Sequence, residues 1–382
     1  MYLMHMGQKV AQLQMAGEHF IGIRSIVNEK HMPVGISKHQ ATMMLSLQNW
    51  ERMRSIPSER QNINRILKAL PGGISDAKLK SMRVSLTDTY WFKDERTPLT
   101  WEDVNFHKNG FATDFADVAV FEKEIPVIQF NSPDYTTDGV LQKGWITIDS
   151  IPTLLKFGEL GINAHGKNLL SANEVVAGKI AASMDIDHVN YFPVQVEGTQ
   201  QMICGSHCFI EDGEHDFVNG LQIANETRSF GRELYHQFSQ MGYQQDLDKM
   251  IVFDHILHNT DRHEKNFGFI RNATTLEPVR FAPLFDSGSC LGWNYSPNVM
   301  DTGEMKPFIQ QREKQLELVQ KLPCNLLDPN YLKAVVADTY EVFGIPEKQY
   351  EIACMDVDKG YQMLAEKEKM WSFGHEDLEE RG

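Results

Sequence analysis

Three oxygen-bearing side chains in the C-terminal half have the types and spacing that phosphoryl transfer from Mg-ATP requires. Asp261 begins the run Asp-Arg-His-Glu-Lys-Asn that ends at Asn266, and Asp286 follows twenty residues later. Asp261 could orient an attacking hydroxyl or accept its proton, while Asn266 and Asp286 could hold Mg²⁺ against the phosphates. Each residue alone would suit an ordinary turn, because Asn and Asp favour turns. Together they predict an ATP- and Mg²⁺-dependent phosphotransferase.

A histidine inside this run is a second catalytic candidate. His263 lies two residues after Asp261, where its ring could orient the loop or a phosphate. The nearby His255 and His258 raise zinc as an alternative, but no neighbouring cysteine completes a ligand set. The carboxylate and amide partners favour a hard cation instead.

A lysine and a glutamate further upstream are candidates for the nucleotide phosphates. Lys156 is the one cation in the apolar strand Leu154–Phe157, so its ammonium could reach a phosphate. A lysine at a strand edge could instead extend to solvent, but we favour the contact with a phosphate. Glu174 could pair with Lys156. It could also cap its own helix, because Ser171 and Glu174 have the spacing of a capping box. Both alternatives stay open.

Short β-like segments separated by turns predict a small lobe over 126–211 that positions Lys156. Its expected elements are strands over 127–130, 145–148, 153–157, 189–196 and 201–210 and a helix over 175–184. The segment Cys208-Phe209-Ile210-Glu211 closes this lobe, and we predict that it is an interlobe hinge whose backbone meets the adenine. Cys208, Phe209 and Glu211 are therefore candidate nucleotide-binding residues.

Helical periodicity dominates after residue 212 and predicts a second lobe. Helices are expected over 228–242 and 246–258, followed by a hairpin over 267–285. Because the two strands of a hairpin end side by side, Asn266 and Asp286 should be neighbours. Two more helices are expected over 331–343 and 348–370.

Composition restricts the classes of function. The 382 residues carry a net charge of −15, which argues against general affinity for nucleic acids or anionic membranes. Five cysteines, an odd and sparse set, fit a reducing compartment better than a disulfide framework. The N-terminus does not suggest a signal peptide, and no apolar run approaches the length of a membrane span. We expect a cytoplasmic protein.

The chain resembles the HipA-like serine/threonine kinases, in particular their compact CtkA-like members from bacteria and mobile elements. The resemblance covers about 126–320, and the stretches that carry it are 154–157, 173–174, 258–268 and 282–289. The segment 132–139 also resembles the family's phosphate loop. The order Asp-Arg-His, and Phe-Asp-Ser in place of Asp-Phe-Gly, differ from the eukaryotic-type protein kinases.

The resemblance implies a role for each matching residue. It implies that Asp261 is catalytic, that Asn266 and Asp286 bind the metal, and that Lys156 contacts ATP. Thr136, Thr137 and Gly139 would belong to the phosphate loop, and phosphorylation of that loop by the enzyme itself would eject it from the ATP site.

The resemblance predicts an α+β, bilobal protein-kinase-like fold with a small β-rich N-lobe and a helical C-lobe. We expect an accessory segment over 1–125, the N-lobe over 126–211 and the C-lobe over 212–382. The expected reaction is transfer to protein Ser/Thr hydroxyls, and an antitoxin-like protein partner is a further expectation. Because phosphoinositide kinases share the Asp-Arg-His-x-x-Asn run, a lipid or small-molecule kinase is an alternative. A non-catalytic nucleotide-binding module of a toxin–antitoxin or phage system is another.

Overall fold

The computed structural model describes residues 1–17, 19–158, 168–295, 303–322 and 326–379. The expected α+β fold class is confirmed: three antiparallel sheets and thirteen α-helices are found among these residues. Cys324, one of the five cysteines, lies outside the described part.

The N-terminal region is built on a four-stranded sheet with the order β3-β2-β1-β4. Helices follow β3 and β4 in the chain. The elements are β1 (Tyr2–His5), β2 (Gln8–Ala16), β3 (His19–Ile26), α1 (Gln40–Met53), α2 (Ile63–Lys68), α3 (Gly73–Lys80), β4 (Tyr90–Lys93), α4 (Trp101–Val104), α5 (Phe106–Asn109) and α6 (Asp114–Ala119).

The small lobe consists of one sheet and one long helix. The sheet has the order β5-β6-β8-β7, and the helix buries nearly all its residues because small and β-branched side chains cover it on every face. In the register of the sheet, Lys143 lies opposite Lys156. The elements are β5 (Gln142–Ile148), β6 (Ile151–Phe157), α7 (Leu169–Ser183), β7 (Tyr191–Gln195) and β8 (Met202–His207).

The C-terminal lobe is helical around a three-stranded sheet of order β11-β10-β9. The β10–β11 hairpin is the one expected from the sequence. The elements are β9 (His215–Asn219), α8 (Gly220–Thr227), α9 (Arg232–Phe238), α10 (Gln244–Leu257), β10 (Gly268–Asn272), β11 (Pro278–Phe281), α11 (Arg312–Leu316), α12 (Pro329–Phe343) and α13 (Glu347–Glu379).

The N-terminal region shares its core with both lobes. Met4 and Trp91 belong to the same buried cluster as Trp145 of the small lobe and Ile270 of the helical lobe. A buried polar network reinforces this contact. Its centre is Asp216 on β9, which accepts hydrogen bonds from the backbone N–H and the hydroxyl of Thr89 (both 2.8 Å), lies 2.8 Å from His5 Nε2, and forms an ion pair with Arg271 (2.9 Å).

Two groups of strands differ from the expectation. The prediction of a strand over 127–130 is wrong, because its backbone forms hydrogen bonds with groups outside any sheet. The Ile128 N–H donates to the Ala69 carbonyl (3.0 Å), and the Gln129 N–H donates to the Asp114 carboxylate (2.7 Å). The strands β1 to β4 and β9 were not expected. No helix in the described part of the chain is both long and apolar enough to cross a bilayer.

Candidate active site

The loop that carries Asp261 begins where α10 ends. His258 adopts a left-handed conformation (φ 51°), which stops the helix, and the Asn259 N–H donates back to the Asp254 carbonyl (2.9 Å). The Asn259 side-chain oxygen then accepts a hydrogen bond from the Asp261 N–H (3.2 Å). The chain therefore leaves the helix in a fixed direction and presents Asp261 at the mouth of the cleft, with its side chain 45% exposed.

Arg262 links three segments of the site through its buried guanidinium. Its guanidinium is fully buried and pairs with both oxygens of Asp254 on α10 (2.8 and 3.0 Å). It also donates to the Asn266 carbonyl (3.0 Å), the Phe285 carbonyl and the Ser287 hydroxyl (2.7 Å). One side chain thus connects α10, the loop 258–266 that carries Asp261, and the segment of Asp286.

Asn266 and Asp286 lie at neighbouring ends of the hairpin and line one cavity. The Asn266 side-chain NH₂ donates to the Asp261 carbonyl (3.2 Å), so its oxygen is the atom that could ligate a metal. Asp286 has a left-handed backbone (φ 57°), which Asp tolerates better than most residues. Burial acts to raise the pKa of Asp286, but the ammonium groups of Lys156 and Lys143 outweigh it and hold this pKa far below its usual range. An ionised carboxylate beside an amide oxygen fits Mg²⁺.

Lys156 forms an ion pair with two carboxylates. Its Nζ lies 2.8 Å from Glu174 Oε1 and 2.6 Å from Asp286 Oδ1. Ser171 does not form a capping box with Glu174: its hydroxyl donates to the Lys156 carbonyl (3.0 Å) and accepts from the Gly158 N–H (3.1 Å). Helix α7 begins at Leu169, which makes Ser171 the third helical residue and not the cap. Of the two alternatives for Glu174, the structure has the pairing with Lys156.

The segment 132–139 forms a tight loop over the cleft. Residues Pro133–Thr136 make one turn of 3₁₀ helix, and the Thr136 and Thr137 hydroxyls both donate to the Pro133 carbonyl (2.9 and 3.0 Å). Gly139 has φ +100°, and a Cβ there would lie 2.3 Å from Lys143 Nζ. Asp138 pairs with Lys265 of the loop that carries Asp261, which anchors the segment 132–139 to the C-terminal lobe.

Lys143 is a second cation next to Lys156 that the sequence prediction missed. It is buried, and its Nζ donates to the Asp138 carbonyl (3.1 Å). Burial, together with the positive charges of Arg60 and Lys156, lowers the pKa of Lys143 to about 7. The sequence does contain one signal for this residue: Lys143 lies at the start of a strand, four residues after Gly139.

Asp261 has a basic partner from a distant part of the chain. Lys306 Nζ lies 2.7 Å from Asp261 Oδ1, and both side chains are about half exposed. Buried Gln315 fixes the backbone of the lysine: its side-chain NH₂ donates to the Lys306 carbonyl (2.7 Å), and its oxygen accepts from the Phe308 N–H (3.0 Å). Nothing in the local sequence around Lys306 indicates this contact.

Two adjoining cavities of about 300 and 500 Å³ form the cleft. Lys156, Asp286, His263 and Gly139 line both. Asp261 lines the second cavity, and Asn266, Thr136 and Thr137 line the first. The predicted catalytic, metal-binding and phosphate-loop residues therefore surround one continuous space.

The apolar end of the first cavity lies at the predicted hinge. Cys208 and Phe209 line it, and the Phe209 ring stacks on Phe285 (centroids 5.2 Å apart). The Cys208 N–H already donates to the Pro152 carbonyl (2.8 Å) and is not open to an adenine. Glu211 is exposed and is not part of the cavity lining.

The N-terminal region also forms part of the cavity wall. Trp50, Arg54, Leu86, Asp88 and Tyr90 line the same cavity as the hinge. Sequence reasoning gave this region no place in the site.

The zinc alternative finds no support. No group of three or more His, Cys, Asp or Glu side chains able to hold a metal occurs among the described residues. His258 instead lies 2.8 Å from the Tyr295 hydroxyl and 3.4 Å from an Asp356 oxygen, while His263 lines the cleft.

Comparison with known proteins gives similarity at the level of structure only. No protein-family model and no curated protein matches the sequence. The proinflammatory kinase CtkA of Helicobacter pylori is similar at 16% identity and a TM-score of 0.44, over 58% of this chain and 90% of CtkA. HipA of Shewanella oneidensis MR-1, solved with HipB and its operator DNA, is similar at 13% identity and a TM-score of 0.41, over 95% of this chain and 96% of HipA.

Proposed function

We propose that this chain is a kinase that transfers the γ-phosphoryl group of ATP to Ser or Thr hydroxyls of a protein. The observation that carries the proposal is the convergence of Asp261, Asn266, Asp286 and Lys156 on one cleft under a glycine-containing loop. Catalysis of this reaction is mostly positioning and charge neutralisation, and these groups suit both tasks.

Each group has a defined part in this mechanism. The apolar end of the cleft at Phe209 takes the base, and Lys156 and Lys143 hold phosphate oxygens. Asn266 and Asp286 would hold Mg²⁺, which neutralises charge on the phosphates when bound. Asp261 orients the acceptor hydroxyl and takes its proton as the oxygen attacks the γ-phosphorus and ADP leaves.

The proposal has a direct test. Asp261→Ala and Asp286→Ala should each abolish transfer of radiolabel from γ-labelled ATP, because one removes the proton acceptor and the other a metal ligand. Both side chains are partly exposed, so circular dichroism should find the fold intact. Arg96→Ala, at a fully exposed position, is the matched control and should keep full activity. Unchanged transfer in either aspartate variant would refute the assignment.

Analysis of the labelled product identifies the class of acceptor: a protein, a lipid or a small molecule. Sequence resemblance to HipA-like kinases favours a protein hydroxyl, whereas a labelled lipid or small molecule would identify the alternative kinase classes. Absence of any ATP turnover by the intact protein would favour a non-catalytic nucleotide-binding module. An antitoxin-like partner remains a prediction that co-purification from the native host would test.

We also propose that the loop is a site of self-phosphorylation. Thr136 is buried and donates to the carbonyls of Val84 and Pro133, so a phosphate on its hydroxyl could not stay in the packed loop. Thr137 is less buried but donates to the same Pro133 carbonyl. Modification of either residue would therefore drive the loop out of the cleft. Phosphopeptide mapping that finds no modification within 132–139 after incubation with Mg-ATP would exclude this.

A further inference from the structure

One buried arginine lacks the partner that a buried charge requires. Arg60 is 2% exposed, and no carboxylate in the described part of the chain forms an ion pair with it. Four other buried arginines each have a carboxylate at 2.7 to 2.9 Å. These pairs are Arg54–Asp88, Arg83–Glu51, Arg262–Asp254 and Arg271–Asp216. An unpaired buried charge is costly, so a counter-ion beside Arg60 would stabilise the protein.

The hydrogen bonds of Arg60 satisfy only one side of its guanidinium. Nε donates to the Gly139 carbonyl (2.5 Å) and Nη2 to the Thr137 carbonyl (2.6 Å), both of which are neutral acceptors in the phosphate loop. Nη1 is buried and has no hydrogen-bond acceptor. Burial lowers the pKa of Arg60 to about 10, and the more distant Asp134 and Asp138 only partly oppose this. Arg60 remains charged at neutral pH, without full compensation.

Arg60 lines a cavity separate from the nucleotide cleft. This cavity measures about 960 Å³ and shares none of its lining residues with the cleft. Arg65, Lys68 and Lys123 line it with Arg60, against the single carboxylate Glu124. The amide side chains in the lining are Asn62 and Asn64.

The cations around the cavity are not equally engaged. Arg65 pairs with Glu122 (3.3 Å) and Lys123 with Asp117 (2.8 Å), both on the surface. Lys68 is exposed and forms no ion pair within the described residues. Lys68 is therefore the cation at the cavity that a ligand could meet without displacing an existing partner, and Arg60, whose buried Nη1 has no acceptor, adds its charge from the cavity wall.

We propose that this cavity binds a small phosphate-bearing anion, held by Arg60 and Lys68. Arginine and lysine combined with amide donors are the groups that recognise phosphate oxygens. The anion would supply counter-charge to Arg60 from a cavity that shares no lining residue with the cleft. The site itself does not depend on the proposed kinase activity.

The test is a titration of the full-length protein with inorganic phosphate, and separately with a nucleoside monophosphate, by isothermal calorimetry. Lys68→Ala should weaken binding about tenfold, as the loss of one charge-assisted contact does. Lys68→Glu should weaken it further, and Arg60→Met should abolish it. Lys348→Ala, at an exposed lysine of α13, is the matched control and should bind as the wild type does. If only the monophosphate binds, the ligand carries an organic group as well as the phosphate.

One further variant tests whether the phosphate probes bind in the nucleotide cleft and not in the cavity of Arg60. Lys156→Met removes a cation from the cleft and should leave this binding unchanged. The proposal is overturned if phosphate affinity falls in Lys156→Met and not in Lys68→Ala, or if neither probe binds the wild type at about 10 mM. If Arg60→Met does not fold, the two Lys68 variants decide alone. None of these experiments measures kinase activity, so their outcome does not depend on whether the proposed function is correct.

Discussion

Lys143 should make nucleotide binding depend on pH in the neutral to alkaline range. Its pKa is lowered to about 7 by burial and by the neighbouring Arg60 and Lys156, so near pH 7 about half the molecules carry the ammonium. Phosphate oxygens of a bound nucleotide favour the charged form and raise this pKa. Binding therefore takes up a proton, and affinity must fall as pH rises through the pKa of the free protein.

The size of the effect follows from the protonated fraction. With a pKa of about 7, that fraction falls from about one half at pH 7 to about one hundredth at pH 9. If the bound form keeps its proton over this range, the dissociation constant for ADP should rise about fifty-fold. Other groups interfere little. Burial lowers the pKa of Lys156, but Asp286 and Glu174 outweigh it and hold this pKa well above its usual value. ADP is already mostly ionised at pH 7, so its own titration changes little between pH 7 and 9.

The assay is calorimetric titration with ADP at pH 7, 8 and 9, without Mg²⁺, so that no added cation perturbs the cleft. Lys143→Met is the comparison: its affinity should be almost independent of pH and weaker than that of the wild type at pH 7, and the difference between the two proteins should narrow about fifty-fold by pH 9. Proton uptake measured in buffers of different ionisation enthalpy should approach one per ADP in the wild type between pH 8 and 9. A flat wild-type profile, or an equal slope in Lys143→Met, would refute the reasoning.

Two further predictions follow from contacts in the site. Lys306→Ala should lower kcat several-fold with little change in KM for ATP, because Lys306 contacts Asp261 and not the nucleotide-binding residues. Lys306→Arg keeps the positive charge and should recover much of the lost kcat. If steady-state kinetics show the same loss of kcat in both variants, the charge of Lys306 does not matter. Asp254→Asn should destabilise the protein by about 3–5 kcal/mol in urea unfolding, because it leaves buried Arg262 without its carboxylate. If the free energy of unfolding changes by less than about 1 kcal/mol, as expected for Arg96→Ala on the surface, the ion pair of Arg262 with Asp254 contributes little to stability.

The sequence predicted the C-terminal half well because its signals are local. Helix periodicity before His258 and a strand-turn-strand pattern after Asn266 each fix their own geometry, and together they bring Asn266 close to Asp286. The partner of Glu174 was open because the capping box and the ion pair use the same residue. Only the start of α7 at Leu169 decides between them.

The parts that sequence reasoning missed depend on distant contacts. Lys306 reaches Asp261 from 45 residues away, and Arg60 reaches the phosphate loop across 77 residues or more. No periodicity or spacing encodes such pairs. The strand expected over 127–130 failed for the same reason, since the acceptors of its backbone lie in other elements and not in a neighbouring strand.

The packing of β1 and β4 against both lobes has a consequence for any attempt to define a minimal catalytic fragment. A chain cut at residue 126 would uncover Trp145 and Ile270, strip Thr89 and His5 from Asp216, and remove the wall of the cleft at Leu86. Such a fragment would expose an apolar surface and precipitate, so the function of this protein must be dissected by point substitution and not by truncation.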